Sequence, residues 1–312
     1  MSQRCGRSAR HTVSVAAPAS VVYGLLADAP RWPLFLPSCV HAERLDADAR
    51  TDRLTVWTAA DGHVRRAQVR RTLRPAERTV DFEETTAGPA AGPGPGTVGT
   101  WSVEPEHPRG DGRSALTLHC AWPCPAPDED PLAPARLVRR RLAQVRDAAE
   151  RWDTLDESLL SFTNSTRVEG PPELVYDLLY RAEDWADLLP HVDGARVREE
   201  RPGVQHVALD LGDPLTGEPA TATSVRLCFP HAGRIVHKAS AGRGPIAAHS
   251  GEWSLEPDAS GLTVTSTHHV LLRPAADASA ARLRVREWLT GTDRETLDLI
   301  KWHAESPVPR LR

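Results

Sequence analysis

Hydrophobic and polar residues alternate along much of the first half of the chain, which is the spacing of half-buried β-strands. Residues 10–16 alternate in this way and are rich in β-branched side chains, so they predict an opening strand. Six further strands are predicted near residues 38–46, 52–59, 63–74, 78–86, 97–105 and 114–122. After Pro134 the apolar spacing becomes three or four, which predicts a long helix whose stripe is Val138, Leu142, Val145, Ala149, Trp152, Leu155 and Leu159.

Two short helices are predicted between the first two strands, one opened by Pro18 and one bracketed by Pro30 and Pro33. The second half repeats the whole order and ends in a helical region at about 278–304. Its strands are predicted near 161–168, 194–200, 204–211, 220–229, 234–240, 246–256 and 261–272. A run of strands closed by one long helix predicts an α+β domain, in which a curved antiparallel sheet wraps around the helix. Such a sheet leaves a cavity suited to an apolar ligand.

The chain also repeats itself at the level of residues. Gly99-Thr100-Trp101-Ser102 recurs as Gly251-Glu252-Trp253-Ser254, 152 positions later. Nine residues between Val15 and Pro37 recur 153 positions later, and Arg71-x-x-x-Pro75 recurs as Arg226-x-x-x-Pro230 after 155. Thr154-Leu155-Asp156 recurs as Thr296-Leu297-Asp298 after only 142, which would require a loop about ten residues longer in the first copy. We therefore expect two copies of one domain, residues 1–159 and 160–312.

Composition narrows the class of protein without naming a function. A hydrophobic content of 40% and a charged content of 26% are typical of a soluble protein, and no apolar run approaches the length of about 18 residues that spans a membrane. The net charge of −4 gives no reason to expect nucleic-acid binding. The number of cysteines is odd, and only Cys120 and Cys124 lie close together in the sequence. With a polar N-terminus that lacks a signal-like core, this favours reduced thiols in the cytoplasm.

Several motifs, taken in tandem order, carry a resemblance to a known family. They are Arg31-Trp32-Pro33, Leu36-Pro37, Arg71-Thr72-Leu73 and Gly99-x-Trp101-Ser102-x-Glu104, then Asp184-Trp185, Leu189-Pro190, Arg226, Gly251-x-Trp253-Ser254 and Thr267-His268-His269-Val270. With the predicted element order, this set resembles the helix-grip fold of the START/Bet v 1-like superfamily. Within it, the chain is similar over nearly its whole length to the didomain aromatase/cyclases of bacterial type II polyketide synthases.

The resemblance implies tandem helix-grip domains that act on a poly-β-ketone chain tethered to an acyl carrier protein. The implied reaction is first-ring C7–C12 aldol closure of a C9-reduced chain, followed by dehydration to an aromatic ring, as a step in making aromatic antibiotics. It implies no cofactor and no metal, and it makes the carrier protein and other synthase subunits the expected partners. We expect the two domains to pack as a pseudo-dimer. A non-catalytic carrier of hydrophobic ligands and a purely structural synthase partner stay open as alternatives, since the fold alone excludes neither.

Arginine suits this chemistry, because it stays protonated and offers several donors to a developing oxyanion. Arg71 shares its strand face with Ala67 and Val69, where an arginine either lines a pocket or forms a buried pair. Arg71 is therefore the leading catalytic candidate. Arg65 shares the same parity and is a candidate for substrate binding, and Arg226 is a second catalytic candidate by its match to Arg71.

Flat aromatic side chains are expected to hold the folded chain, although core packing explains each of them equally well. These candidates are Trp32, Phe35, Trp57, Trp101, Trp122, Trp185 and Trp253. His268 is a candidate pocket acid or base, with a structural histidine as the competing interpretation. The adjacent His268 and His269 face opposite sides of their strand, which argues against a metal grip. No HExxH or CxxC spacing supports one either.

Two features remain open at this stage. Arg136, Arg139-Arg140-Arg141 and Arg146 form the strongest basic cluster, which predicts either a solvated helix face or a docking surface for an acidic carrier protein. Cys39 and Val192 stand where monodomain relatives carry a tyrosine, and this difference leaves the detailed pocket chemistry undetermined.

Overall fold

The alternating segments of the first half form a seven-stranded antiparallel sheet in a computed structural model of the protein. The structure describes residues 6–60, 62–86, 96–107, 112–123, 133–212, 217–240, 244–259, 261–275 and 277–306. The strands are β1 (Gly6–Val15), β2 (Cys39–Ala47), β3 (Thr51–Ala60), β4 (His63–Arg74), β5 (Thr79–Thr86), β6 (Thr97–Pro105) and β7 (Ser114–Pro123). Their order across the sheet is β1-β7-β6-β5-β4-β3-β2. The helices of this half are α1 (Ala19–Ala27), α2 (Trp32–Phe35) and α3 (Ala133–Ala149), and α4 (Leu155–Ser158) leads into the second half.

The second half repeats this topology. Its strands are β8 (Leu159–Val168), β9 (Gly194–Arg201), β10 (Val204–Gly212), β11 (Pro219–Phe229), β12 (Arg234–Ala239), β13 (Ile246–Asp258) and β14 (Gly261–Leu272), in the order β8-β14-β13-β12-β11-β10-β9. Its helices are α5 (Pro172–Tyr180), α6 (Trp185–Leu188) and α7 (Ala278–Glu305). All fourteen predicted strands are present, and the predicted α+β class, with a sheet that packs on a long helix, is confirmed.

Internal contacts divide the chain between Asp156 and Glu157 into a first and a second unit. In the first unit, α3 packs on β1 and β7 through the predicted stripe of Val138, Leu142 and Val145, all of them buried. In the second unit, α7 makes the corresponding contact with β8 and β14.

Two sequence predictions about the end of the first unit are wrong. The apolar stripe does not continue beyond α3, and Thr154-Leu155-Asp156 is not the structural counterpart of Thr296-Leu297-Asp298. The α3 helix ends at Ala149, Trp152 is exposed, and Leu159 begins β8. Thr154 therefore lies in a short turn after α3, whereas Thr296 is buried inside α7. The two Thr-Leu-Asp segments are thus not equivalent. The longer loop predicted for the first copy falls on residues 124–132, which lie outside the described residues; of the two long helices, α7 has 28 residues and α3 has 17.

Strand register brings the repeated motifs of each unit into one row across the sheet. In the first unit Arg71 pairs with Phe82, Phe82 with Gly99, and Gly99 with Cys120. Residues paired in this way point to the same face of a sheet. In the second unit the same row is formed by Arg226, His237, Gly251 and His268.

The glycine repeated in both copies has a packing reason. A Cβ built on Gly99 would lie 2.5 Å from Cζ of the Phe82 ring and 2.6 Å from the His119 carbonyl oxygen. One built on Gly251 would lie 2.5 Å from the Thr267 carbonyl oxygen and 2.6 Å from Cε1 of the His237 ring. The ring of the neighbouring strand thus occupies the space above each glycine. The Gly-x-Trp-Ser motif therefore allows a large side chain to cross the concave face at its centre.

Candidate functional site

The first unit encloses a cavity between its sheet, the α1–α2 segment and α3. The cavity has a volume of about 120 Å³, and most of its walls are apolar. Trp32, Phe35 and Trp101 line it, as the sequence predicts. The polar groups on its walls are Ser38, Cys39, Thr58, Arg71, Glu84, Arg141 and Gln144. An apolar cavity with a few convergent polar groups is the usual form of a small-molecule site.

Arg71 lines this cavity and also forms a buried ion pair. The sequence left these two roles as alternatives, and the structure shows both. Its Nε donates to Asp52 Oδ1 at 2.8 Å and its Nη2 to Asp52 Oδ2 at 2.6 Å. Nη1 also donates to the carbonyl oxygen of Leu26 at 2.7 Å, and Nη2 to that of Ala27 at 2.9 Å. Arginine has five N–H donors, so these four contacts leave one Nη1 hydrogen for another acceptor. The Trp32 ring lies 5.1 Å from the Arg71 Cζ, which fixes the guanidinium further.

Asp52 is a site residue that sequence reasoning missed. It lies in β3 in phase with the buried Leu54 and Val56, and it is directly opposite Arg71 in the register. The sequence signal was a pair of opposite charges on adjacent strands, each at a position where the alternation predicts an apolar residue. The ion pair holds the Arg71 guanidinium rigidly at the cavity wall, close to the C-terminal carbonyls of α1.

Arg226 occupies the equivalent position in the second unit but has different partners. Its Nη1 donates to Gln205 Oε1 at 3.1 Å and to the Tyr180 carbonyl at 3.4 Å, and its Nη2 donates to the carbonyl of Leu179. Gln205 thus stands where the first unit has Asp52, so all three of these acceptors are uncharged. Burial lowers the pKa of the Arg226 guanidinium, because desolvation disfavours the charged form.

A second arginine enters the first cavity from α3. Arg141 Nη2 lies 2.8 Å from Glu84 Oε2, and the two side chains are only 28% and 24% exposed. The sequence placed Arg141 in a solvated or docking cluster. Its spacing carried a better signal, because it lies three residues after Val138 and four before Val145, on the buried side of the helix. This ion pair is the most accessible charged pair on the cavity wall.

Several predicted binding residues of the first unit do not line this cavity. Trp57 is buried on the opposite face of β3, beside the ring of His41 at 5.3 Å, because its neighbours Val56 and Thr58 point into the cavity. Arg65 is exposed on β4. Trp122 packs at the edge of the core, outside the cavity wall.

The predicted aromatic residues of the second unit have packing roles. The Trp185 ring lies 5.2 Å from the Arg226 Cζ, and its Nε1 donates to the Leu178 carbonyl at 3.1 Å. Trp253 is buried in the core with Leu297 and Ile300.

His268 belongs to a buried polar network in the second unit. Its Nδ1 is 2.9 Å from His249 Nε2, and its Nε2 is 2.7 Å from Asp293 Oδ2. His237 packs edge-on against His249, with the ring centroids 5.1 Å apart. Sequence reasoning found only His268. Asp293 could have been found from the sequence, because it is a charged residue in the apolar stripe of α7, four residues after Leu289.

Burial also fixes the protonation of several groups. Desolvation lowers the pKa of His237 to about 3 and lowers that of His249 well below its ordinary value, so both imidazoles are neutral at pH 7. Desolvation raises the pKa of the Cys120 and Cys228 thiols to about 11. These cysteines are therefore protonated thiols and poor nucleophiles.

The fold and the cavity together define a class, the helix-grip proteins that enclose an apolar ligand between a sheet and a long helix. Residues 15–146 and 168–289 match the family model described as polyketide cyclase / dehydrase and lipid transport, and the chain belongs to this family. The two matched segments correspond to the two units.

Curated relatives cover most of the chain. The granaticin polyketide synthase bifunctional cyclase/dehydratase of Streptomyces violaceoruber is 31% identical over 274 residues, which are 85% of this chain and 81% of the relative. The actinorhodin polyketide synthase bifunctional cyclase/dehydratase of Streptomyces coelicolor is 30% identical over 312 residues, 92% of this chain and 93% of the relative.

Two solved structures agree with this assignment. The di-domain ARO/CYC StfQ from the steffimycin biosynthetic pathway has a TM-score of 0.81 at 26% identity, covering 95% of this chain and 98% of its own. The di-domain ARO/CYC BexL from the BE-7585A pathway has a TM-score of 0.80 at 31% identity, covering 97% and 100%. The expected family and the expected enzyme class, a polyketide cyclase/dehydratase, are thus confirmed. Among the described helices, none is both long and apolar enough to cross a membrane.

Proposed function

We propose that the chain is an aromatase/cyclase that acts on a C9-reduced poly-β-ketone tethered to an acyl carrier protein. It directs C7–C12 aldol closure of the first ring and the dehydration that makes this ring aromatic. The observation that carries the proposal is the apolar cavity of the first unit, with Arg71 and the Arg141–Glu84 pair on its wall. The charged groups in this cavity favour an enzyme over a passive carrier, for which apolar walls suffice.

In this proposal Arg71 supplies positive charge at the oxygen of the attacked carbonyl. The buried pair with Asp52 limits its motion, so its remaining Nη1 hydrogen is preorganised and costs little reorganisation during reaction. Arginine is a poor base, and the methylenes of a β-dicarbonyl are already acidic, so positioning contributes more than proton abstraction. Trp32, Phe35 and Trp101 provide the flat walls against which the chain folds.

The second unit gives less support for a catalytic arginine. Arg226 lacks the carboxylate that orients Arg71, so we assign the leading role to the first unit. The predicted roles of Arg226, Trp185, Trp253 and His268 in catalysis or substrate binding stay predictions.

We also propose that the carrier protein docks on α3 of the first unit. Arg139 and Arg140 are exposed on this helix, next to Arg141, which reaches the cavity wall. An acidic carrier would be steered to such a surface and would deliver its chain close to the cavity.

Reconstitution with a minimal synthase and its ketoreductase tests the proposal. Adding the wild type should shift the products toward an aromatised first ring. The double variant Asp52→Asn/Arg71→Met should lose this shift while it stays folded by circular dichroism, because it removes the guanidinium without leaving its carboxylate partner unpaired. An unchanged product profile on adding the wild type would refute the cyclase assignment, and full activity of the double variant would refute the role of Arg71.

A further inference from the structure

Three imidazoles of the second unit converge from three adjacent strands. His237 lies on β12, His249 on β13 and His268 on β14. One ring nitrogen of each lies within 4.8 Å of the other two. His268 and His269 face opposite sides of β14, as the sequence predicts, but the other two histidines come from neighbouring strands, which residue spacing alone does not reveal.

A carboxylate orients the most buried of the three rings. Asp293 Oδ2 is 2.7 Å from His268 Nε2, and this carboxylate also accepts from Asn164 Nδ2 at 2.7 Å and from Ser266 Oγ at 3.2 Å. Asp293 therefore holds a proton on Nε2, so the lone pair of His268 lies on Nδ1 and faces His249. A carboxylate behind a ligating histidine fixes its tautomer in this way in many metal sites.

The fold itself does not require these histidines. The first unit builds the same sheet without them. Phe82 stands at the position of His237 and Cys120 at that of His268. Thr97, two residues before the repeated glycine, stands at the position of His249. Removing these imidazoles from water costs desolvation free energy, which the first unit avoids at the same three positions. The histidine cluster is therefore specific to the second unit, and the shared fold does not explain it.

We propose that His237, His249 and His268 bind a divalent transition metal ion of the zinc class, with Asp293 as the outer partner of His268. Three imidazole ligands suit zinc and leave a fourth position for water or a ligand oxygen. His237 and His249 are half-buried residues, so the cluster is not fully enclosed, although desolvation dominates the environment of both rings.

His249 and His268 already lie close to the spacing that an ion requires, whereas the His237 ring nitrogen, which lies within 4.8 Å of theirs, has to move closer to complete the site. At Zn–N distances of about 2.0–2.1 Å, two tetrahedral ligand nitrogens lie about 3.3 Å apart, compared with 2.9 Å between His249 Nε2 and His268 Nδ1. Binding requires His249 to carry its proton on Nδ1, which is a change of tautomer without a change of charge. Arg226 is a positive charge on the strand next to His237, with which it pairs in the register, but its donors point to the Leu179 carbonyl and to Gln205.

Metal titration of the untagged, full-length protein tests the site independently of any cyclase activity. After EDTA treatment and dialysis, zinc chloride should bind in one equivalent by calorimetry, and Co²⁺ should give visible absorption bands of an imidazole complex. His237→Phe and His249→Thr should each weaken binding at least tenfold. The first unit carries phenylalanine and threonine at these positions, so the fold should accept both substitutions. Asp293→Asn should weaken binding about 10–100-fold.

His269→Ala is the matched control, because it removes the adjacent imidazole from the other face of the same strand, where His269 contacts Ser161. Its affinity should equal that of the wild type. Absence of stoichiometric binding by the wild type would overturn the proposal. Binding of unchanged affinity in His237→Phe and His249→Thr would also overturn it, since the ion would then lie elsewhere. If a variant fails to fold, X-ray absorption of the zinc-loaded wild type decides, because the proposal requires three imidazole ligands.

Discussion

The Arg71–Asp52 pair makes the sharpest prediction about stability. Both side chains are only 2% exposed, and the two nitrogens of the guanidinium fork lie 2.8 and 2.6 Å from the carboxylate oxygens. Arg71→Met would leave the buried Asp52 carboxylate with the partly exposed Arg44, whose Nε lies 3.5 Å from Oδ2, as its remaining described charge partner. Removing one member of a buried pair costs about 3–5 kcal/mol. Because Arg44 still offsets part of the charge, we expect a loss near the lower end of this range in the first unit.

Two comparison variants separate the pair from its surroundings. Asp52→Asn/Arg71→Met removes both charges, and replacing a whole buried pair by neutral groups is often close to neutral in stability. We expect the double variant to recover most of the loss. Arg226→Met in the second unit leaves only uncharged acceptors behind, so we expect a smaller cost of about 1–3 kcal/mol.

The assay must resolve the two units, since a chain of two domains need not unfold in one transition. Hydrogen exchange measured by mass spectrometry on peptides from β4 and β11, with urea unfolding as a second probe, gives that resolution. Equal exchange protection of β4 in the wild type and in Arg71→Met would refute the argument. So would a double variant no more stable than the single one.

Three further predictions concern other parts of the first unit. Gly99→Ala should destabilise it by about 1–3 kcal/mol through overpacking, because the new Cβ would lie 2.5 Å from the Phe82 ring and 2.6 Å from the His119 carbonyl oxygen. Phe82→Leu in the same chain relieves only the contact with the ring, so it should recover part of the lost thermal stability. Equal thermal midpoints for Gly99→Ala and the wild type would contradict this prediction. Burial raises the pKa of Cys120 to about 11, so iodoacetamide should leave it unmodified in the folded protein at pH 8 and modify it after denaturation; rapid native labelling would exclude the burial argument. Arg139→Glu/Arg140→Glu should raise KM for carrier-bound substrate with kcat unchanged, and the effect should fade with added salt; an unaltered KM at low salt would remove α3 as the docking surface.

Sequence periodicity predicted the fold well, because each unit repeats the alternation of half-buried strands and ends in one striped helix. It also predicted that Arg71 points inward, since parity along a strand is a local property. The Thr154–Asp156 block was misleading because three matching residues carry no information about burial. Those residues follow α3, whereas their apparent partners lie inside α7.

The partners of the site residues were harder to predict, because they depend on register between distant strands and on the reach of long side chains. Asp52 meets Arg71 only once β3 and β4 are paired. Arg141 was assigned to a basic surface because its charge outweighed its place in the helix stripe. The histidine cluster combines residues from three strands, and Asp293 joins it from α7. Tertiary structure brings these residues together. A single sequence, without the strand register, shows the individual residues but not that they meet.

The most direct test of the central claim is the product profile after the first cavity is filled. Ala148 is buried on the cavity wall of α3, so Ala148→Phe should occupy the space of the substrate with little change in fold. Leu45→Phe, at an exposed position of β2 and away from α3, is the control. The account predicts that the control directs the reconstituted synthase to an aromatised first ring and that Ala148→Phe, while folded, does not. Equal production of this ring by both variants would contradict it.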